Sequence, residues 1–333
     1  MKMDVRAGYN NVRITKGHEW LAAFITKYGL FEPLVMFFGL CNSPTTFQHM
    51  MDNLFVHQLT NGWLLIYMDD MLIATDDDTV IHINCICESL QILHNNDLFI
   101  KPSKCDSMVQ KVEFLGFIIK NGTVSMDPIK VKGIVEWPAP QNLQQLHSFL
   151  GFCNFYHRFV YHYADLARPL NELLQKATTW FWTTKRDNAF ANLKLCFTKD
   201  PVLLIPDSVK PFEIKADASL FATGAVLYQN DINDVRHPCA FISQSLSPAE
   251  RNYQIYDREF LSIIRALCTW HHYIQGSPFL TVVFNDHQNL TYFRTAQRLN
   301  PRQAQWSLKL AEYDILLKYV LGPKMVAADA LSH

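Results

Sequence analysis

Apolar residues along the chain recur with two periods. Phe47, Met50, Met51, Leu54 and Phe55 fall at i, i+3, i+4, i+7 and i+8, the spacing of one buried helical face. Ser43-Pro44 ahead of them predicts a capping residue followed by a first-turn proline. Two short apolar runs, residues 64–68 and 71–74, then flank Asp69-Asp70 and predict a buried hairpin. Trp137-Pro138-Ala139-Pro140 breaks the chain, and a helix is expected over residues 143–160. Pro201, Pro206 and Pro211 lead into the last third. There Phe212, Ile214 and Ala216 alternate with polar residues as in a half-buried strand, and residues 224–228 supply a second strand. Ser247-Pro248-Ala249-Glu250 reads as a capping box ahead of a helix with Phe260, Ile263, Ile264 and Leu267 on one face. Residues 280–284 predict another strand and residues 327–331 a short terminal helix. Strands followed by helices in this order indicate mixed α/β modules.

Length divides this pattern: 333 residues, at about 150 per domain, suggest two domains or three. A composition of 49% hydrophobic and 18% charged residues argues for globular structure over a disordered tail. No run approaches the roughly 18 apolar residues of a membrane span, and the first residues lack the apolar core of a secretory signal, so a cytoplasmic or nuclear setting is expected. The eight cysteines are scattered without a C-x-x-C pair, which reads as reduced thiols and not a zinc site. Thirty basic residues against 31 acidic ones give a net charge of −1, so any nucleic-acid function must be read from local sites.

Acid placement is the informative local feature. Asp69 and Asp70 sit side by side between apolar runs with no basic residue within six positions. Burial raises the cost of two such charges, and two readings remain: a solvated turn, or a pair of hard oxygen ligands for a divalent cation. A third acid, Asp4, precedes Val5-Arg6-Ala7-Gly8-Tyr9 and alone reads as a surface aspartate. Asp76-Asp77-Asp78 reads as a solvated loop, and His271-His272 lacks an i, i+4 partner for a metal role.

Taken in order, Asp4-Val5-Arg6-Ala7-Gly8-Tyr9, Phe38-Gly39-Leu40-Cys41-Asn42-Ser43-Pro44 and Tyr67-Met68-Asp69-Asp70 resemble motifs A, B and C of reverse transcriptases, in particular the pol polyprotein of gypsy-type (Metaviridae) LTR retrotransposons. Val112-Glu113-Phe114-Leu115-Gly116-Phe117 resembles the primer-grip region, and residues 149–156 with Trp180-Phe181-Trp182 resemble the thumb and connection. The resemblance implies that Asp4, Asp69 and Asp70 hold two Mg²⁺ ions, or Mn²⁺ in their place, for nucleotidyl transfer. It implies that Tyr9 gates against a ribose 2′-hydroxyl, that Phe38 and Gly39 line the nucleotide pocket, and that Lys101 or Lys104 protonates the departing pyrophosphate.

Four later acids carry a second resemblance. Lys215-Ala216-Asp217-Ala218-Ser219, Asp257-Arg258-Glu259-Phe260-Leu261, Asn285-Asp286-His287 and Ala328-Asp329-Ala330-Leu331-Ser332 are similar to the acid set of the retrotransposon ribonuclease H domain. Asp217, Glu259, Asp286 and Asp329 are thereby expected to hold two Mg²⁺ ions for hydrolysis of RNA in an RNA–DNA hybrid, read through groove shape and 2′-hydroxyls.

The fold class implied is α/β (α+β): a polymerase palm with partial fingers over residues 1–120, truncated at its N-terminus, a thumb and connection over 121–206, and a ribonuclease H-like domain over 207–333. The function implied is RNA-directed DNA synthesis with cleavage of hybrid RNA. Expected partners are RNA template, DNA primer, hybrid and deoxynucleoside triphosphates, with no membrane, as part of a larger pol polyprotein in a virus-like particle. The alternative is a truncated or decayed remnant that binds nucleic acid without polymerase activity and retains at most the ribonuclease activity. Pro33 and Phe37 depart from the residues usual beside the nucleotide pocket, and Gly322-Pro323-Lys324-Met325 offers no histidine ahead of the last acid.

Overall fold

The structure, a computed structural model, describes residues 1–75, 78–175, 178–198, 202–286 and 299–320. Contacts divide the chain into two compact units, Met1–Asn121 and Gly122–His333.

The first unit runs β1 (Lys2–Asp4), β2 (Phe24–Thr26), β3 (Gly29–Phe31), α1 (Ser43–Leu54), α2 (Val56–Thr60), β4 (Leu64–Tyr67), β5 (Asp70–Ile73), α3 (Thr79–Asn95), β6 (Lys111–Phe114) and β7 (Phe117–Lys120). An antiparallel sheet of order β1-β5-β4 sets Asp4 directly opposite Asp70 and Tyr67 opposite Asp70. Beneath it α1 buries Phe47 and Met51, with Phe55 just past the helix; Met50 and Leu54, on the margin of the expected face, are only partly covered. Each fully buried side chain of this size contributes about 1.5–3 kcal/mol. The start of α1 differs from expectation: Asn42 is the N-cap, while Ser43 lies inside the first turn and its hydroxyl donates to the Phe37 carbonyl at 3.2 Å. Asp78, expected in a solvated loop, caps α3 by accepting the Val80 and Ile81 N–H groups at 2.8 and 3.2 Å. The β2–β3 hairpin exposes every residue of both strands.

The second unit begins with β8 (Thr123–Met126), α4 (Pro128–Val135), α5 (Leu143–Phe155), α6 (Tyr163–Asn171), α7 (Thr184–Thr198) and β9 (Leu203–Leu204). The helix expected over 143–160 ends at Phe155, because a 3-10 turn at His157–Phe159 and a left-handed His162 (φ 52°) redirect the chain into α6. There follow β10 (Glu213–Ala218), β11 (Ala222–Asn230), β12 (Arg236–Ser245), α8 (Pro248–Arg251), α9 (Ile255–Thr269), α10 (His271–Ile274), β13 (Thr281–Asn285), α11 (Pro301–Ala311) and β14 (Ile315–Tyr319). These strands form a mixed sheet of order β12-β11-β10-β13-β14, antiparallel across β12, β11 and β10 and parallel across β10, β13 and β14.

Phe212, Ile214 and Ala216 alternate into the core as their period predicts, against Phe260, Ile263 and Leu267 of α9. Strand β10 continues two residues beyond the expected end, so Asp217 lies within it. The capping box at Ser247 forms: its hydroxyl accepts the Glu250 N–H, and the Glu250 carboxylate accepts the Ser247 N–H. The helix expected at 327–331 lies outside the described residues. Among the described residues no helix is long and apolar enough to cross a membrane, and all eight cysteines are free.

Candidate active sites

In the first unit, strand pairing brings the expected acids to one sheet end. Asp4 ends β1 and is 8% exposed, and the Val5 N–H donates to the Asp69 carbonyl at 2.8 Å. The two-residue turn between β4 and β5 consists of Met68 and Asp69, with Met68 left-handed at φ 55°. This corrects the buried-hairpin expectation: β5 is buried, but β4 leaves Leu65 and Tyr67 exposed and the turn projects outward, so Asp69 is exposed and Asp70 half-buried. Gln48 of α1 fastens the turn, accepting the Met68 N–H at 2.6 Å and donating to the Ile66 carbonyl at 3.4 Å.

Lysines absent from the local sequence answer these charges. Lys104 Nζ lies 2.7 Å from Asp4 Oδ2, and Lys2 Nζ lies 3.8 Å from Asp70 Oδ1. Burial pushes the Asp70 carboxyl above its ordinary range; Lys2 draws it back, while Asp69 and Asp4 push it up. The hydrogen bond from Lys104 to Asp4 raises the Lys104 ammonium, keeping it charged. Lys101 is exposed; its backbone N–H donates to the Asp4 carbonyl at 2.9 Å, so it shapes the strand end.

Tyr9 is half-buried behind Asp4, its ring 5.6 Å from Phe47 and 4.9 Å from Phe38. Gly8 fixes that approach, since a Cβ there would meet the Phe47 ring at 2.5 Å. Phe38 is 79% exposed, and Gly39 adopts φ 104°, a backbone that favours glycine.

In the second unit the convergence is tighter. Asp217 comes from β10, Glu259 from α9, and Asp286 directly follows β13. Among the described residues, they are the only group of three potential ligands whose oxygens all lie within 4.8 Å of one another. Asp4, Asp69 and Asp70 do not gather so closely, and Asp329 lies outside the described residues. The Ala218 N–H donates to Asp217 Oδ1 at 2.8 Å and to Glu259 Oε1 at 3.3 Å. Asn285 Nδ2 donates to Glu259 Oε2 at 3.0 Å and to the Ala216 carbonyl at 3.1 Å, tying α9 to the sheet at the site.

Glu259 is 3% exposed, and burial, followed by the charge of Asp217, pushes its carboxyl up to about 8. Burial also raises Asp217, while His162 draws it back and Asp286 and Asp165 push it up. Three clustered carboxylates, with no cationic side chain bonded to them among the described residues, form the donor set of a hard divalent cation.

A family model described as "Reverse transcriptase (RNA-dependent DNA polymerase)" matches residues 1–119, and one described as "RNase H-like domain found in reverse transcriptase" matches residues 207–313. The retrovirus-related Pol polyprotein from transposon 297 of Drosophila melanogaster is 36% identical over 332 residues, covering 99% of this chain and 30% of that protein. The chain carries the reverse transcriptase and ribonuclease H-like domains found in retrotransposon Pol polyproteins. The transposon Tf2-3 polyprotein of Schizosaccharomyces pombe is 33% identical over 333 residues, covering 99% of this chain and 25% of that protein. The chain therefore spans about a quarter to a third of the length of these curated relatives.

Solved reverse transcriptases share its fold. The foamy viral protease-reverse transcriptase dRH in complex with double-stranded DNA superposes with TM-score 0.82 at 20% identity, covering 96% of this chain and 56% of that one. The same viral enzyme in complex with an RNA/DNA hybrid gives 0.80 at 20% identity, covering 96% and 43%.

Sequence reasoning missed several residues around the Asp217–Glu259–Asp286 cluster. Asn285 stood inside a quoted motif but had no assigned task. Gly224, a strand glycine, carried the usual signal of a close approach. His162 and Asp165 carried no local signal, because the turn into α6 brings them to the sheet.

Proposed function

We propose that the chain performs two divalent-metal-dependent reactions: RNA-directed DNA synthesis at Asp4, Asp69 and Asp70, and hydrolysis of RNA in RNA–DNA hybrids at Asp217, Glu259, Asp286 and Asp329. The observation that carries this reading is the meeting of Asp217, Glu259 and Asp286 within 4.8 Å. The carboxylates fit Mg²⁺, with Mn²⁺ as an alternative, because clustered hard oxygen donors are what such ions require. When bound, the ions supply Lewis-acid activation of the attacking oxygen and neutralise charge on the leaving one.

The residues divide the remaining work. Ala218 and Asn285 hold the Glu259 carboxylate by donating to its two oxygens. Tyr9, braced by Phe47 and facing Phe38, excludes a nucleotide 2′-hydroxyl, and Phe38 and Gly39 form the pocket wall. Lys104 Nζ carries a proton beside Asp4, within the site where pyrophosphate departs. Lys101 meets the nucleotide's phosphates from its exposed position.

By domain, residues 1–120 correspond to a palm with partial fingers, 121–206 to a thumb and connection, and 207–333 to the ribonuclease H-like domain. Template, primer, hybrid and deoxynucleoside triphosphates are the substrates of this reading. Its setting is a gypsy-type pol polyprotein working in a virus-like particle of the cytoplasm or nucleus.

The test uses the purified chain with Mg²⁺ and labelled substrates. Asp217→Asn is expected to lower hybrid cleavage by more than about a hundredfold, and Asp69→Asn to lower primer extension as much. Equal cleavage by the parent and Asp217→Asn would reject the ribonuclease assignment, and equal extension by the parent and Asp69→Asn the polymerase assignment.

A further inference from the structure

We infer that His162 is a positioning residue of the Asp217–Glu259–Asp286 centre, holding the Asp217 carboxylate through an imidazole that Gly224 admits and Asp165 steadies. This rests on the ribonuclease reading above and adds to it a residue from the turn before α6, upstream of the ribonuclease H-like match.

Strand register provides the first support. Asp217 pairs with Gly224 on β11, and Gly224 pairs with Ser243 on β12, forming one row across three strands. Directly opposed residues project to the same face. At that row the Ala164 N–H of α6 donates to Ser243 Oγ at 3.0 Å, seating the helix start on the row that carries Asp217. The imidazole fills the space a side chain at 224 would occupy: a Cβ there would lie 3.3 Å from both Cε1 and Nδ1 of His162. A glycine inside a central strand sacrifices packing, and here the sacrifice admits one ring.

Backbone and polar partners provide the second. His162 holds φ 52°, a left-handed conformation costly for a residue with a Cβ, yet its side chain makes no hydrogen bond that caps α6. Its Nδ1 instead lies 3.8 Å from Asp165 Oδ2, and Ser219 Oγ lies 3.2 and 3.1 Å from the two Asp165 oxygens. Ser219 is two residues beyond Asp217 in the turn that leaves β10. Asp165 and Asp217 repel one another; the imidazole lies 3.8 Å from the first, and its charge draws the second back toward its ordinary range. Such an outer partner fixes the direction of a ligating side chain, and its loss costs about 10–100-fold in metal affinity or activity.

The experiment measures Mn²⁺ binding to the full chain by electron paramagnetic resonance, taking as the site's share the binding that Asp217→Asn removes. Cleavage of a labelled hybrid and thermal melting are followed in parallel. His162→Gly, which suits the left-handed backbone, is expected to weaken that share about tenfold or more and to lower kcat with KM for the hybrid unchanged. Gly224→Ala, whose Cβ crowds the ring at 3.3 Å, is expected to cause a loss of the same kind in the parent but none further in the His162→Gly background. Should His162→Gly melt early, Gly224→Ala with unchanged melting decides alone. Parent-like binding and kcat in His162→Gly, or an equal penalty from Gly224→Ala in both backgrounds, would overturn the inference while leaving the ribonuclease reading intact. A parent that binds Mn²⁺ no better than Asp217→Asn removes both.

Discussion

At the scale of single residues, the Asp217–Glu259–Asp286 cluster is defined by carboxylates crowded within 4.8 Å of one another. Glu259 sits on a helix with almost no exposed surface at that turn, and its carboxyl titrates near 8 against an ordinary 4.5. In metal-free protein below about pH 4.5, both folded and unfolded chains carry the proton. Between 4.5 and about 8 the unfolded chain releases it first, so folding stability falls as pH rises, by up to about 1.4 kcal/mol per pH unit from this group. Glu259→Gln removes the ionisation, and with EDTA present its urea-unfolding free energy is expected to fall less steeply over that window than the parent's. Identical pH profiles would count against a proton held at Glu259. Asp217 adds to the parent's slope in the same direction, since it too is raised, and it remains in both proteins.

Among elements, the β4–β5 hairpin and α1 form one device. The turn tolerates a left-handed Met68 because Gln48 accepts its N–H, so loss of that amide leaves a strained turn without its tie. Gln48→Ala is expected to cost about 1–2 kcal/mol in the first unit and to reduce primer extension while hybrid cleavage stays at the parent's rate. A matching fall in both activities would show that the hairpin is not what the amide supports. Much of this element was legible beforehand. Helical spacing gave the buried Phe47 and Met51, and paired apolar runs gave the two strands, because both signals are periodic and local. The outward turn of Asp69 was not legible, since apolar neighbours report burial of strands and not the direction of a two-residue tip. The ion pairs of Lys2 and Lys104 with these acids escaped for a related reason: Lys104, expected only at the departing pyrophosphate, lies 100 residues from the aspartate it meets.

Over the whole molecule, the two sets of acids fall in different compact units, so their chemistry is separable by substitution. A chain carrying both Asp69→Asn and Asp217→Asn is expected to show each loss at the size seen in the single variants, with no coupling beyond about 0.5 kcal/mol, measured by primer extension and hybrid cleavage on one preparation. Strand order in the second unit was only partly readable: alternation identified β10, but its parallel pairing with β13 joins residues far apart in sequence. The same long-range pairing brings Asp286 to Asp217, which no spacing rule could have specified. His162 lay further from view, because a turn between two helices carries it to the sheet.

The β2–β3 hairpin bears on the handling of the chain in solution. Phe24, Ile25, Leu30 and Phe31 all face water, and among the described residues no further strand pairs with either edge, so another copy could extend it. Concentrated preparations will tend to self-associate through this ribbon, and charged replacements such as Ile25→Lys offer a handle on crystallisation that touches neither set of carboxylates.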